Sequence, residues 1–173
     1  MLTNEDELRR ITYGPFVGEK PRGIALISVL AHCVGNAPEI LVRCREVMRI
    51  VLAQDVERWP TDQKWLSLLP GWFVTACVDD EALRLEAQRW LELSDAERAA
   101  AVSGPWSVGG WTDTFLPHQR QWFWWDASTL NGDAVRVLIE IFADPFSWGA
   151  LEWLLKASGA VGVERDQKPI PSF

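Results

Sequence analysis

QWFWWDASTLNGDAVRVLIEIF, residues 121–142, decides the fold. Its two flanks, 121–127 and 134–142, are rich in aromatic and β-branched side chains, the types that suit a pleated, half-buried surface. Between them lies STLNGD. Its Asn131-Gly132 pair tolerates the positive φ angles that a tight hairpin turn demands. In the second segment Val135, Val137, Ile139 and Ile141 alternate onto one face. Arg136 and Glu140 share the opposite face with Leu138 and Phe142, so that face is only partly buried. A β-hairpin is predicted.

Upstream of the hairpin the chain reads mostly as helix. Thr3 with Asp6 three residues on forms a loose capping box for a helix through about Thr12, ended by Gly14-Pro15. Gly18 to Gly23 reads as loop. Residues 23–34, GIALISVLAHCV, are apolar all round. A helix closed by Gly35 is the expectation there, although a buried strand has the same pattern. Pro38 opens the clearest helix, with Ile40, Leu41, Cys44, Val47, Met48, Val51 and Leu52 on one face. Thr61 caps Asp62–Leu69, and Pro70 separates this from a further turn at Trp72-Phe73. Asp79 or Asp80 starts a helix to about Leu93 that buries Leu83, Ala87, Trp90 and Leu91. Ser94-Asp95-Ala96-Glu97 is a second capping box, for a helix reaching Ser103-Gly104-Pro105.

Residues 104–118, GPWSVGGWTDTFLPH, lack a helical period and read as an ordered loop or short strand. Beyond the hairpin, Asp144-Pro145 supplies an N-cap and first helical residue for a closing helix, Pro145–Ser158, stopped by Gly159. Val161-Gly162-Val163 reads as a short edge strand, and 164–173 as a polar tail. The predicted class is α+β: about six helices in the majority, a C-terminal hairpin or small antiparallel sheet, and a closing helix. Residues 1–163 form one globular domain, as expected for a chain of 173 residues.

Charge and cysteine usage narrow the function. A formal charge of −7 disfavours non-specific binding to a phosphate backbone and favours basic partners. The densest basic group is Arg43, Arg45 and Arg49, placed on the solvated face of its helix. Cys33, Cys44 and Cys77 are odd in number, lack CxxC spacing and sit among apolar neighbours, as buried free thiols do. The start, MLTNEDELRR, lacks a signal peptide's apolar core, and no apolar run approaches the ~18–20 residues of a membrane helix. A soluble cytoplasmic protein is expected.

Chemistry-bearing patterns are sparse. His32 lies in the most apolar segment and reads as a hydrogen-bonded core histidine. His118 stands in a loop near Asp113 and Asp126, an arrangement open to acid–base work but equally explained by capping. HExxH and GxSxG spacings are absent, and the glycines of SVGGW form neither GxGxxG nor a P-loop. No catalytic residue, metal or cofactor is therefore expected. The acidic groups Glu5-Asp6-Glu7 and Asp79-Asp80-Glu81 sit at helix starts, where they complement the helix dipole.

Four strings taken in order, LPGWF (69–73), PWSVGGW (105–111), RQWFWWDA (120–127) and PFSWGALEWLLKASGA (145–160), resemble those of small bacterial immunity proteins of polymorphic toxin systems. The resemblance covers about the C-terminal two-thirds and rests on Trp, Gly and Pro. It implies a non-enzymatic cytoplasmic protein that binds and blocks a cognate protein toxin, and it supplies no catalytic residue.

The tryptophans divide accordingly. Trp59, Trp65, Trp72, Trp90, Trp148 and Trp153 lie on or beside predicted helices and read as core anchors. Trp106, Trp111, Trp122, Trp124 and Trp125 fall within 20 residues of loop and strand. Trp106, Trp111 and Trp124, with Asp113 and Asp126, are the expected partner-binding residues, since Trp is enriched at interface hot spots. Two rivals stand beside this reading. One is a small enzyme or sugar-binding module, which needs Asp113, Asp126 and His118 to converge in a Trp-lined cleft. The other is a structural adaptor with a large apolar homo-oligomeric face.

Overall fold

The computed structural model describes residues 3–94, 96–97, 105–166 and 170–171. The hairpin is present: β2 (Trp122–Leu130) and β3 (Ala134–Ile141) pair antiparallel across a turn with Asn131 at φ 51° and Gly132 at φ 76°. Val135, Val137, Ile139 and Ile141 are all buried, as the alternation requires.

The apolar segment upstream is a strand and not a helix. β1 (Ala25–His32) pairs antiparallel with β3 along its whole length, Ala25 opposite Ile141 and His32 opposite Ala134. β4 (Gly162–Arg165) pairs with residues 29–32 of β1, and β5 (Ile170–Pro171) pairs with Ala25 and Leu26. The order β2-β3-β1-β4 makes β1 a central strand. Central strands read as continuous apolar runs, the property shared with buried helices. Burial nevertheless alternates: Ala25, Ile27, Val29 and Ala31 face the core, and the residues between them face away. His32 ends the strand half in solvent, with Nε2 3.1 Å from Glu164, so it is not a core histidine. Residues expected in the polar tail are tied to the sheet, since β4 runs to Arg165 and β5 follows it.

Helices cover the core face of this sheet. α1 (Asn4–Tyr13) starts at the expected Thr3–Asp6 capping box. α2 (Ala37–Leu52) buries Ile40, Leu41, Cys44, Val47, Met48, Val51 and Leu52. α3 (Asp62–Leu68) is capped by Thr61, α4 (Gly71–Ala76) follows Pro70, and α5 (Asp80–Glu92) is capped by Asp79. Leu83 of α5 is half-buried, whereas Ala87, Trp90 and Leu91 are exposed, Leu91 to 74%. A 3.6-residue period identifies which side chains share a face, and it leaves open whether anything covers that face. The Ser94–Glu97 box forms, with Glu97 N–H donating to Ser94 Oγ and Ser94 N–H to the Glu97 carboxylate. The rest of that predicted helix, and Ser103-Gly104, lie outside the described residues.

Within 104–118 the expectation of loop or strand is corrected. α6 (Val108–Asp113) forms there, with Ser107 Oγ accepting the Gly110 N–H. Its two glycines hide the helix from propensity, and Gly109 lies close against the Asp62 side chain, whose Oδ1 a Cβ there would meet at 2.5 Å. The closing helix α7 (Gly149–Ala157) begins later than expected. Ser147 N–H is held by the Gln121 side-chain oxygen at 2.6 Å, and the first helical bonds run to the Trp148 carbonyl. Gly159, at φ 117°, follows its C-cap Ser158.

The architecture is α+β with a helical majority. An aromatic relay joins its layers: Phe73 of α4, Trp111 and then Phe115 beyond α6, and Trp122 of β2, with successive ring centroids 4.7, 4.8 and 5.7 Å apart. Trp111 Nε1–H also donates to the Ala150 carbonyl at 2.8 Å, fixing α6 to α7. Among the described residues no helix is long and apolar enough to cross a membrane.

Candidate functional site: a pinned apolar turn

The tryptophans expected at a surface are mostly interior. Trp111 and Trp124 are 0% exposed, and Trp122 and Trp125 are buried beside them, which removes Trp111 and Trp124 as surface anchors. Their reason for burial is the relay just described and, for Trp124, a place on the core face of β2 opposite Ile139. Trp106 is half-buried and lines a groove of about 370 Å³ with Thr114, His118, Gln119, Trp122 and Ser147. Asp113 and Asp126, both half-buried, are not part of that lining. Asp126 stands on the opposite face of the sheet, where Oδ1 accepts its neighbour's N–H (Ala127, 2.8 Å) and faces Gly14. The constellation of His118, Asp113 and Asp126 that a hydrolytic cleft would need is not assembled.

The thiols are equally unsuited to attack. Burial pushes Cys44 up to about 12, and its Sγ–H donates to Ser158 Oγ at 3.2 Å. Burial raises Cys33 and Cys77 as well. A nucleophilic cysteine needs the opposite shift.

What the molecule does build is an N-terminal clasp. α1 lies along the outer edge of β2, a position where unpaired strand groups invite association. Here side chains occupy them. Glu7 accepts the Trp124 N–H at 2.6 Å, Arg120 Nε–H donates to the Trp122 carbonyl, and Arg45 of α2 donates to the Ala127 carbonyl. Arg45 is thus not simply part of a solvated basic face. A register shift between Trp124 and Asp126 places Trp125 under the Arg10 guanidinium, 4.1 Å from its ring centroid.

From α1 the chain crosses β2 and β3 on the face turned away from the helices, passing Asp126 at Gly14 and Glu140 at Gly23. Midway it makes a tight turn, Phe16–Glu19, closed by Glu19 N–H to the Phe16 carbonyl at 2.9 Å, with Gly18 at φ 80°. Such a φ at the third turn position favours glycine. Glu19 then holds the turn. Its carboxylate accepts the Phe16 N–H at 2.7 Å, two bonds from Arg9 at 2.8 Å and one from Arg10 Nε at 3.0 Å. These donors outweigh its partial burial and hold its pKa down to about 2.

This well-anchored turn and the chain on either side of it present apolar side chains to water. Tyr13 is 83%, Phe16 66%, Val17 108% and Ile24 56% exposed. Ile24 donates its N–H to the Ile141 carbonyl, which brings it to the end of β3, where Phe142 is 45% exposed. Beside it Phe123 and Phe142 pack edge-on at 5.4 Å and, with Pro145 and Phe146, line a groove of about 750 Å³. The sequence signal was available: an apolar Phe16-Val17 pair before Gly18, with Glu19 within reach of Arg9-Arg10. Reading 18–23 as a plain loop passed over it.

Compared with protein families, curated proteins and solved structures, the chain gives no match in any of the three.

Proposed function

We propose that the chain is a non-enzymatic, cytoplasmic binding protein that captures and blocks a cognate protein toxin. It docks through the Phe16–Glu19 turn and the Phe123/Phe142 groove beside it. The observation that carries this reading is the pairing of apolar exposure at Phe16, whose one ring face lies against the Arg9 guanidinium at 3.8 Å, and at Val17 with four hydrogen bonds fixing the Glu19 carboxylate beneath them. Ordering a loop before binding removes an entropic cost at the moment of association, and exposed aromatics on such a loop serve as anchors. The net charge of −7 favours a basic toxin by accelerating encounter, and disfavours nucleic acid and anionic membranes as partners. The immunity-protein resemblance of the four Trp-bearing strings points to the same partner class.

Co-expression with the toxin encoded beside the gene tests the proposal. Growth is rescued by the native chain and lost with Phe16→Ser/Val17→Ser. Toxicity that persists with the native chain present would overturn it.

A further inference from the structure

We propose that Glu140 is the positioning residue of the docking turn: one β3 carboxylate that fixes the exit of segment 14–23 while Arg10 ties that exit to the turn itself. This rests on the reading of the turn as the docking element. Glu140 stands on the sheet face away from the helices, beside half-buried Leu138 and exposed Phe142, yet it is 0% exposed. What buries it is the segment it holds. Oε1 accepts the backbone N–H groups of Arg22 and of Gly23, the latter at 2.6 Å, and Oε2 accepts from Arg10 at 3.2 Å. Charge-assisted bonds of this kind are about twice as strong as neutral ones.

Gly23 permits the approach. A Cβ there would stand 2.2 Å from the Ile141 carbonyl oxygen and 2.9 Å from Glu140 Cγ, so only a residue without a side chain reaches the carboxylate. Arg10 is the shared element, fully buried, with Nε on Glu19 and its terminal nitrogen on Glu140. Its guanidinium lies over the Trp125 ring, which limits its freedom further. The turn and the exit of the segment are therefore both held by one cation. Nothing in the core requires a charge at position 140, since the sheet neighbours Leu138 and Leu26 are apolar. The carboxylate's partners belong to the segment and to α1.

Hydrogen exchange on the full-length chain tests this without any partner. In Glu140→Gln the charge is lost while the size is kept. The expected result is exchange about tenfold or more faster at Glu19, Arg22 and Gly23, with the amides of Val137 and Ile139 unchanged. Arg10→Lys keeps a positive charge but offers one nitrogen where Arg10 places two, on Glu19 and on Glu140, and gives the same local acceleration. Glu140→Asp restores part of the protection. Unchanged exchange at Arg22 and Gly23, or an equal acceleration across segment and sheet, would overturn the proposal. Should Glu140→Gln not fold, Arg10→Lys decides by the same criterion. Failure here leaves the docking reading standing. Unaltered toxin affinity in a turn variant with native exchange protection removes the docking reading and leaves the positioning role of Glu140.

Discussion

Glu7 grips Arg120 through both carboxylate oxygens, at 2.5 and 2.6 Å, with the two side chains 1% and 5% exposed. Burial pushes Glu7 up and Arg120 down, and their mutual attraction opposes both shifts. The pair also satisfies the Trp124 N–H and the Trp122 carbonyl at the edge of β2. Glu7→Ala strands a buried guanidinium and is expected to destabilise by about 3–5 kcal/mol in chemical denaturation. Glu7→Leu/Arg120→Met removes both charges, and its cost is expected to fall below the sum of the two single changes. An additive double mutant would show that the pair does not act as a unit.

Acid stability follows from Glu19. Its folded pKa of about 2 lies below the ordinary 4.5, so the fold binds this proton less readily than the unfolded chain does. The resulting stabilisation, about 3 kcal/mol, is fully present above pH 4.5 and is lost as pH falls toward 2. Glu19→Gln removes that contribution. Denaturation midpoints followed from pH 6 downward are expected to show a shallower acid limb in the variant, and parallel limbs would refute the assignment.

Gly23→Ala places a methyl group 2.2 Å from a backbone oxygen of β3, an atom that cannot swing aside. A cost of about 1–3 kcal/mol is expected, the range of overpacked sites. Thermal unfolding measures it. Gly71→Ala, where nothing lies within 4 Å, is the control and is expected to unfold within a degree or two of the native chain.

Trp111→Phe deletes the bond to the Ala150 carbonyl and part of the aromatic relay. The expected loss is about 2–4 kcal/mol, combining a cavity with an unsatisfied buried acceptor. Urea denaturation monitored by the remaining tryptophans gives the value. A loss under 0.5 kcal/mol would mean that Trp111 does not anchor α6 to α7.

Much of this fold was legible from sequence because local chemistry and tertiary context agree. The Asn131-Gly132 turn, the Thr3 and Ser94 capping boxes and the apolar face of α2 are each decided within a few residues. The misreadings share a cause. The strand at Ala25–His32 looks helical because a central strand is apolar on both faces, and only its pairing with β3 and β4 settles the matter. α6 is short and carries two glycines, so long-range packing against Asp62 and Ala150 has to supply what propensity withholds.

The site was legible only in kind. Trp111 and Trp124 are suitable anchors by residue type, but burial is a property of the assembled layers. The turn that takes their place depends on Glu140, separated from Gly23 by 117 positions along the chain. No local pattern announces a contact of that range.

Titration calorimetry of the Phe16→Ser/Val17→Ser variant against the toxin encoded beside the gene tests the central claim most directly. The variant removes two side chains that are 66% and 108% exposed, so the fold is expected to survive intact. The affinity is expected to fall about a hundredfold or more, as for the loss of two central anchors. An affinity equal to that of the native chain would contradict the account.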